Sequence, residues 1–399
     1  MRHKNLIVYS LPVSGGAFVS QLGLLSELYD ALIISKIHAY KPDIAMASSG
    51  GNVAIYATMA GGWSPAGIKR VTAGMTKDMF TRSWFPTGLQ KIPSLMAGIF
   101  YGAVYDEGYG GKLVYERYFT STSIADVEIW TGTVNRDTVK AELFCNKAQS
   151  HALIQNARFF EDKDFFDTMN LNYLGEYDDI VERIANVSMA SASIPYLVKN
   201  KVIDYDTYID GGVMYASPTT QLKGELYNLI TGHVEPTTTS HPEFDIEADG
   251  IVSCVKDIQV NQPRRLCHYY ICSYDTDAAY VKSTIQGDIK IPLVDTLSQS
   301  IHASVLVDRM TIPDMIKALA GDRFPEIQHI TYPLVTTVEL AQILRWLDLH
   351  AEHYSCILYP YGEVSISIAS FTAEDIQTAI EVTRQRYSVR LCLLPFKSS

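Results

Sequence analysis

A five-residue turn, Ala47-Ser48-Ser49-Gly50-Gly51, constrains the fold of this chain more than any other stretch. It follows a short apolar run and precedes residues 52–60, whose sequence favours a helix. A serine between small residues at a strand-to-helix bend is typical of a nucleophile elbow, although such bends also occur as plain structural turns. Ala47 and Gly51 leave the room that the bend requires, and the N-terminus of the next helix directs free N–H groups at the serine oxygen. The pattern predicts an α/β fold in which Ser49 is an attacking group for acyl transfer.

A second glycine-rich turn lies near the N-terminus. The apolar run Leu6–Tyr9 predicts a buried strand, and it leads through Val13-Ser14-Gly15-Gly16-Ala17 into an amphipathic helical pattern. A strand, a glycine-rich turn and a helix together present backbone N–H groups to an anion. A phosphate loop would need Lys and then Ser or Thr after the glycines, and this sequence lacks them. An oxyanion hole for a tetrahedral intermediate is the other interpretation of this turn.

Two segments further along the chain are candidates to complete a site with Ser49. Asp210-Gly211-Gly212 follows a short predicted strand, 207–209, and Met189–Tyr196 is a run of small residues that ends in Pro and Tyr. Each also has an ordinary structural explanation, because Asp-Gly is a common turn and small residues suit a tightly packed helix end. A carboxylate such as Asp210 would act as a base near neutral pH only if burial raised its pKa.

Taken in this order, the four segments resemble the patatin-like phospholipase family, and the resemblance covers roughly residues 5–220. It implies a patatin-like three-layer α/β fold with a mostly parallel central sheet. It implies a dyad of Ser49 as nucleophile and Asp210 as base, with Gly15 and Gly16 as the oxyanion hole. The implied activity is that of a phospholipase A-like lipid acyl hydrolase, which forms a covalent acyl-enzyme on phospholipids or other acyl-ester lipids without cofactor or metal. Further small residues would support the elbow and the loops: Ala47, Gly50, Gly51, Gly211 and Gly212.

The chain departs from the family pattern at several positions. Ser14 stands where the first loop glycine is usual, Phe18 where an Arg is usual, and Ala47 where the first elbow glycine is usual. These departures leave open a patatin-fold protein with a binding or structural role and weakened or lost activity. A Ser–His–Asp esterase is a second alternative, and Asp249 is a substitute candidate for the carboxylate. The esterase would use one of the histidines that follow Asp210: His268, His302, His329, His350 or His353.

Composition narrows the classes of function. With 399 residues, 47% hydrophobic and 19% charged, the chain is long and apolar enough for a large packed core. The net charge of −11 and the lack of basic runs argue against nucleic acid and against electrostatic adsorption to anionic membranes. The six cysteines form no C-x-x-C pair, which predicts free thiols and a cytoplasmic location, with peripheral membrane contact left open. No stretch is expected to reach the roughly 20 apolar residues of a membrane span, and no metal-ligand spacing is recognised.

The predicted elements divide the chain into three parts: a catalytic domain over 1–231, a polar surface loop or linker over 232–250, and a C-terminal part over 251–399. In the first part strands and helices alternate, which favours a mostly parallel sheet. The C-terminal part either extends that sheet or forms a small α+β module.

Three segments carry more specific expectations. The apolar segment Trp84–Tyr101 is either a lid or lipid-docking loop over the site, or a core helix. In the C-terminal part the pattern predicts two separate helices, 294–307 and 312–319, and a strand over 363–368.

Overall fold

A computed structural model describes residues 4–37, 40–79, 81–82, 103, 105–107, 117–118, 127–145, 157–159, 177–232, 262–274, 292–362, 364–367 and 370–397. The α-helices within these residues are α1 (Phe18–Ser35), α2 (Gly50–Ala60), α3 (Pro65–Thr72), α4 (Tyr177–Ser191), α5 (Lys223–Thr231), α6 (Pro292–Ala320), α7 (Thr337–His350) and α8 (Ala373–Gln385). The strands are β1 (Lys4–Leu11), β2 (Ile44–Ser48), β3 (Thr81–Arg82), β4 (Asp106–Glu107), β5 (Glu128–Asn135), β6 (Lys140–Cys145), β7 (Ala157–Phe159), β8 (Lys201–Ile203), β9 (Asp206–Asp210), β10 (Arg264–Ile271), β11 (Gln328–Val335), β12 (Ala351–Pro360) and β13 (Tyr387–Pro395).

An 11-stranded sheet forms the middle layer, in the order β11-β13-β12-β10-β1-β2-β5-β6-β7, with β9 also paired to β5 and β8 to β9. Strands β12, β10, β1, β2 and β5 run parallel, and antiparallel pairs lie toward both edges. The carboxyl ends of β1 and β2 therefore lie side by side, where open α/β sheets place their sites. Strands from the last third of the chain continue the same sheet beyond β1.

Alternating side chains of the strands fill a core on each face of the sheet. In β1, Ile7, Tyr9 and Leu11 join a cluster that includes residues of α1, α2, α7 and α8. Leu6 and Val8 join a second cluster, which includes residues of α5 and α6. Helices on both faces of a mostly parallel centre make a three-layer α/β fold, which confirms the predicted fold class.

Residues 292–320 form one helix, so the predicted division into two helices is wrong. Pro313 lies inside α6, where it removes one backbone hydrogen bond. Ile312, Met315 and Ile316 are fully buried in the core beneath this helix. Burial of three large apolar side chains outweighs the lost hydrogen bond, and the helix continues.

Residues 364–367 do not form the predicted strand. Val364 and Ile366 alternate with serines, which is typical of a strand, and both pack half-buried against the core. The preceding strand, β12, ends at Pro360. The backbone of the segment instead bonds the N-terminal glycine turn, through the Ile366 N–H and the Gly16 carbonyl.

One helical segment among the described residues, Gly15–Ser35, is long and apolar enough to cross a membrane by length and composition alone. This corrects the expectation that no stretch qualifies. Because 78% of its most apolar window is buried inside the protein, the match is weak evidence for a span. The prediction of free thiols is confirmed for the described cysteines, all of which are buried: Cys145, Cys267, Cys272, Cys356 and Cys392.

Candidate active site

Ser49 occupies the bend between β2 and α2. Its backbone has φ 53° and ψ −127°, a conformation that residues with side chains rarely adopt. On the strand side, Ala47 is held in register between Leu11 of β1 and Thr131 of β5. The paired strand on one side and the first turn of α2 on the other hold Ser49 in the strained bend of a nucleophile elbow.

Glycines around the bend allow neighbouring backbones to approach it closely. A Cβ at Gly50 would collide with the Gly15 carbonyl oxygen and the Ser14 hydroxyl. A Cβ at Gly51 would collide with the Leu11 carbonyl oxygen. The start of α2 therefore packs on the N-terminal glycine turn through Gly50 and on the end of β1 through Gly51.

Ser49 and Asp210 form a buried hydrogen-bonded pair. The Ser49 Oγ donates to Asp210 Oδ2 at 2.6 Å, and Asp210 Oδ1 accepts from the Gly212 N–H at 2.7 Å. The two paired residues are only 2% and 3% exposed. Burial raises the pKa of Asp210 to about 7, and the hydrogen bonds from Ser49 and Gly212 oppose that rise. The carboxyl is therefore partly ionised near neutral pH, where it can accept a proton.

Asp210 is the last residue of β9, and the glycines after it shape the turn. A Cβ at Gly211 would collide with the carbonyl oxygen of Gly132 on β5. A Cβ at Gly212 would lie 2.6 Å from Val13 Cγ2 in the N-terminal loop. The turn therefore fits between β5 and that loop only because both positions lack side chains.

Backbone N–H groups beside Ser49 are available to a ligand. Gly15 has φ 50°, in the left-handed region, and open space where its Cβ would be. Among the described residues, no acceptor bonds the N–H of Gly15, Gly16 or Gly50. The Gly15 nitrogen lies 2.9 Å from the point that a Cβ of Gly50 would occupy, so the backbones of Gly15 and Gly50 are close together. Gly50, which the sequence suggests only as support, thus joins Gly15 and Gly16 as a candidate donor to an oxyanion.

Ser191 makes a contact with the elbow that the sequence does not reveal. Its hydroxyl accepts from the Ser49 N–H at 2.9 Å and donates to the Gly132 carbonyl at 2.7 Å. Ser191 is fully buried at the end of α4. The bridge ties the strained residue to β5 and satisfies its N–H. The small residues of 189–196 indicate close packing, but nothing in the sequence shows which serine among them reaches the elbow.

The described histidines lie away from the pair of Ser49 and Asp210. His268 is buried between the hydroxyls of Ser10 and Ser355, at 2.9 and 2.7 Å, and burial lowers its pKa to about 3. Others lie on the edge strand β11, at the end of α7 and in β12: His329, His350 and His353. The esterase alternative therefore gains no support from these histidines.

Some predictions fall on residues outside the described part of the chain. They are the lid or core helix at Trp84–Tyr101, Asp249 as a substitute carboxylate, and the side chain of His302. Within the described residues, no group of His, Cys, Asp or Glu is arranged to hold a metal ion.

A comparison with protein-family models matches residues 14–223 to the patatin-like phospholipases. The match spans slightly more than half of the 399 residues, and it includes the elbow, the small-residue run and Asp210. A search among curated proteins returned no match. The match agrees with the three-layer α/β fold and with the sequence resemblance described above. The chain therefore belongs to the patatin-like phospholipase family.

Proposed function

We propose that this protein is a phospholipase A-like lipid acyl hydrolase that cleaves ester bonds through a dyad of Ser49 and Asp210. The observation that carries the proposal is the 2.6 Å hydrogen bond from the Ser49 Oγ to a buried carboxyl, at a strained bend beside glycine N–H groups that no described residue accepts from. Membership of the patatin-like phospholipase family supports a lipid ester as the substrate.

In the first half of the reaction, the Ser49 Oγ attacks the ester carbonyl carbon while its proton passes to Asp210. The raised pKa of Asp210, about 7, makes it a better base than an ordinary carboxylate. The carbonyl oxygen becomes an oxyanion, to which the N–H groups of Gly15, Gly16 and Gly50 donate. The bond to the leaving alcohol then breaks, and Asp210 returns the proton to that alcohol. The acyl group remains as an ester on Ser49.

In the second half, water takes the place of the alcohol. Asp210 accepts a proton from the water, whose oxygen attacks the acyl carbon and forms a second oxyanion in the same hole. The bond to Ser49 breaks, and the proton on Asp210 returns to the serine oxygen. The products are a fatty acid and an alcohol, which is a lysophospholipid when the substrate is a phospholipid. These steps require neither a cofactor nor a metal.

The proposal also includes the cellular location of the protein and its contact with membranes. We expect a cytoplasmic enzyme that meets phospholipid or other acyl-ester lipid by peripheral contact with a membrane. Because the net charge is −11, such contact would depend on apolar rather than electrostatic attraction. The division into parts at 1–231, 232–250 and 251–399 stays a prediction.

A patatin-fold protein without activity is the competing proposal, because the glycine turn departs from the family pattern. The most visible departure, Ser14, has a structural place of its own. Its hydroxyl donates to Gln21 Oε1 at 2.8 Å, and the Gln21 amide donates to the carbonyls of Pro12 and Ile271 at 2.9 and 3.1 Å. The serine thus belongs to a network that holds the turn, so its presence is compatible with an active enzyme.

Fluorophosphonate labelling, together with fatty-acid release from phosphatidylcholine vesicles, tests the proposal. The wild-type protein should react in both assays, and Ser49→Ala should react in neither. Ser48→Ala is the matched control, because the neighbouring hydroxyl is buried without a hydrogen-bond partner in the described structure. Its removal should leave folding and labelling intact.

Other results of these assays would each support one of the alternative functions. A folded wild-type protein that neither labels nor releases fatty acid would support the inactive form. Labelling that survives Ser49→Ala and is lost in Ser48→Ala would move the nucleophile by one position. Hydrolysis of soluble short-chain esters without any release from vesicles or mixed micelles would support an esterase.

A further inference from the structure

A short segment from the C-terminal part lies directly on the N-terminal glycine turn. This segment, residues 364–367, is called the strap here. The Ile366 N–H donates to the Gly16 carbonyl oxygen at 3.1 Å. A Cβ at Gly16 would collide with the Ile366 carbonyl oxygen and lie 3.2 Å from its carbon. The contact is therefore backbone against backbone, and it explains why position 16 needs a glycine although only Gly15 has a positive φ.

Both ends of the strap are anchored to elements that flank the glycine turn. Before it, β12 pairs with β10, which pairs with β1, the strand that leads into the turn. After it, Thr372 caps α8, and this helix packs on α1, the helix that follows the turn. The α8–α1 contact is close, since a Cβ at Gly23 would lie 2.8 Å from Thr383 Cβ. The strap and the turn are thus held by the same framework.

The Ser14–Gln21 hydrogen bond and the close contact with Gly50 hold the start of the glycine turn, whereas the strap bonds its middle. Gly15 and Gly16 contribute no side chains, and Gly15 faces open space where its Cβ would be. Two glycines in succession have high backbone freedom, which an oxyanion hole must restrict before the reaction begins. Within the turn, the Ala17 and Phe18 N–H groups bond the carbonyls of Ser14 and Gly15. The Gly16 carbonyl is held from outside, by Ile366.

We propose that the strap is a positioning element for the oxyanion hole. By holding the Gly16 carbonyl, the Ile366 N–H fixes the backbone on which the N–H groups of Gly15 and Gly16 are presented beside the Ser49 elbow. The strap lies outside residues 14–223, the stretch that matches the family, so it is a feature of this chain's C-terminal part. The inference rests on the proposed function, in which these N–H groups stabilise an oxyanion.

The decisive variant removes the Ile366 N–H. Ile366→Pro does so directly, and an α-hydroxy acid analogue of isoleucine at position 366 does so without a ring. The matched control is Ser365→Pro, which alters the strap one residue earlier, where the described structure shows no bond to the glycine turn. Ile366→Ala keeps the N–H and removes most of the side chain. All variants are made in the full chain, and thermal unfolding confirms that each one folds.

We expect kcat for ester hydrolysis to fall about 10-fold to 10²-fold in Ile366→Pro and in the hydroxy acid variant, with KM little changed, because a displaced donor costs less than a deleted one. Ser365→Pro and Ile366→Ala should keep most of their activity. Wild-type kcat in the folded hydroxy acid variant would overturn the proposal, and so would an equal loss in Ser365→Pro.

A second readout separates this inference from the proposed function. Hydrogen exchange of the peptide covering the glycine turn should quicken in the variants that lack the Ile366 N–H and not in Ser365→Pro. If the wild-type protein proves to have no hydrolase activity, the proposed function fails, whereas the exchange result still decides whether the strap holds the turn. Unchanged exchange in the folded hydroxy acid variant would reject the positioning role.

Discussion

The described residues include two buried pairs of a serine and an aspartate, and the two pairs have different surroundings. The Ser49 Oγ donates to Asp210 at 2.6 Å, and the Ser217 Oγ donates to Asp308 at 2.7 Å. Burial raises the pKa of both carboxyls to about 7. By distance, burial and pKa alone, the two pairs are nearly indistinguishable.

The pairs differ in backbone and in neighbours. Ser49 has a left-handed φ at the N-terminus of α2, near glycine N–H groups that have no acceptor in the described part of the chain. Ser217 also bonds the Thr219 hydroxyl at 2.6 Å, and Asp308 also accepts from the Tyr270 hydroxyl at 2.9 Å. That network continues through Thr219 to Ser10 and His268, so it joins α6 to the sheet.

A buried serine–carboxylate pair needs suitable surroundings before it can carry out acyl transfer. A raised carboxyl pKa supplies a base, but acyl transfer also needs donors for the oxyanion. The Ser217 oxygen is bonded by the Thr219 hydroxyl as well as by Asp308, and Asp308 also accepts from the Tyr270 hydroxyl. We therefore infer a structural role for the pair of Ser217 and Asp308, and the proposed dyad remains Ser49 and Asp210.

The largest expected effect comes from removing each carboxylate in turn. Asp210→Asn should lower kcat by about 10²-fold to 10⁴-fold, because an amide does not accept the serine proton. Asp308→Asn also removes a buried carboxyl, yet it should change kcat by only a few-fold. Steady-state hydrolysis of a soluble ester, with melting temperatures as the folding check, measures both. A loss of the same size in a folded Asp308→Asn protein would break the distinction between the pairs.

The pH dependence of activity sharpens the same distinction. Asp210 acts as a base only when ionised, and its pKa is about 7, so kcat should rise with pH and level off above that value. Below it, kcat should fall about tenfold for each pH unit. The pKa of Asp308 is also about 7, so the wild-type profile alone does not say which carboxyl is responsible. An unchanged profile in Asp308→Asn assigns it to Asp210, whereas loss of the pH dependence in that variant would assign it to Asp308.

Much of the fold could be predicted from the sequence, because it depends on local patterns. Helix α7, Thr337–His350, begins at a capping box of Thr336 and Glu339, a signal that four consecutive residues of the sequence carry. The pairing of Ser49 with Asp210 joins residues 161 positions apart, and only the family resemblance suggested it. The strap lies within residues 363–368, for which the sequence predicts a strand, because the alternating pattern does not reveal that the backbone of Ile366 bonds a turn near the N-terminus.

The contacts of Ser191 and Asp308 could not be predicted for a related reason. Each is a common residue type whose role depends on a distant partner: Ser49 and Gly132 for the first, Ser217 and Tyr270 for the second. No spacing rule marks such partners in a single sequence. Three-dimensional proximity is the missing information, and only the folded sheet supplies it.

A smaller effect on activity is expected at Ser191. Ser191→Ala leaves the Ser49 N–H and the Gly132 carbonyl without their shared partner, which should loosen the strained elbow. We expect kcat to fall roughly tenfold, which corresponds to about 1.4 kcal/mol, the upper range of a neutral hydrogen bond. Ser193→Ala is the matched control, since its hydroxyl donates only to the Met189 carbonyl at 2.6 Å. Equal kcat values in the two variants would show that the bridge does not support the elbow.

The smallest expected effect is on stability rather than activity, at Asp308. Its pKa is about 7 in the folded protein and about 3.9 in an unfolded chain, so the folded state binds an extra proton between these values. The free energy of unfolding should therefore decrease as pH rises through this window and stay lower above it. The amide introduced by Asp308→Asn does not ionise, and its carbonyl oxygen can still accept from Ser217 and Tyr270. Its NH₂ group would take the place of Asp308 Oδ1, which has no partner among the described residues.

In Asp308→Asn the free energy of unfolding should accordingly fall less steeply with pH. The slope that remains would include the contribution of Asp210, whose pKa is also raised by burial. Urea unfolding at about pH 5 and about pH 8 measures the slope, and Asp314→Asn is the control because that carboxylate is 51% exposed on the same helix. Identical slopes in wild type and Asp308→Asn would mean that Asp308 does not carry a raised pKa. The two pairs would then share a hydrogen-bond length but not a raised carboxyl pKa. Of the two buried carboxylates, Asp210 alone would be able to exchange protons near neutral pH.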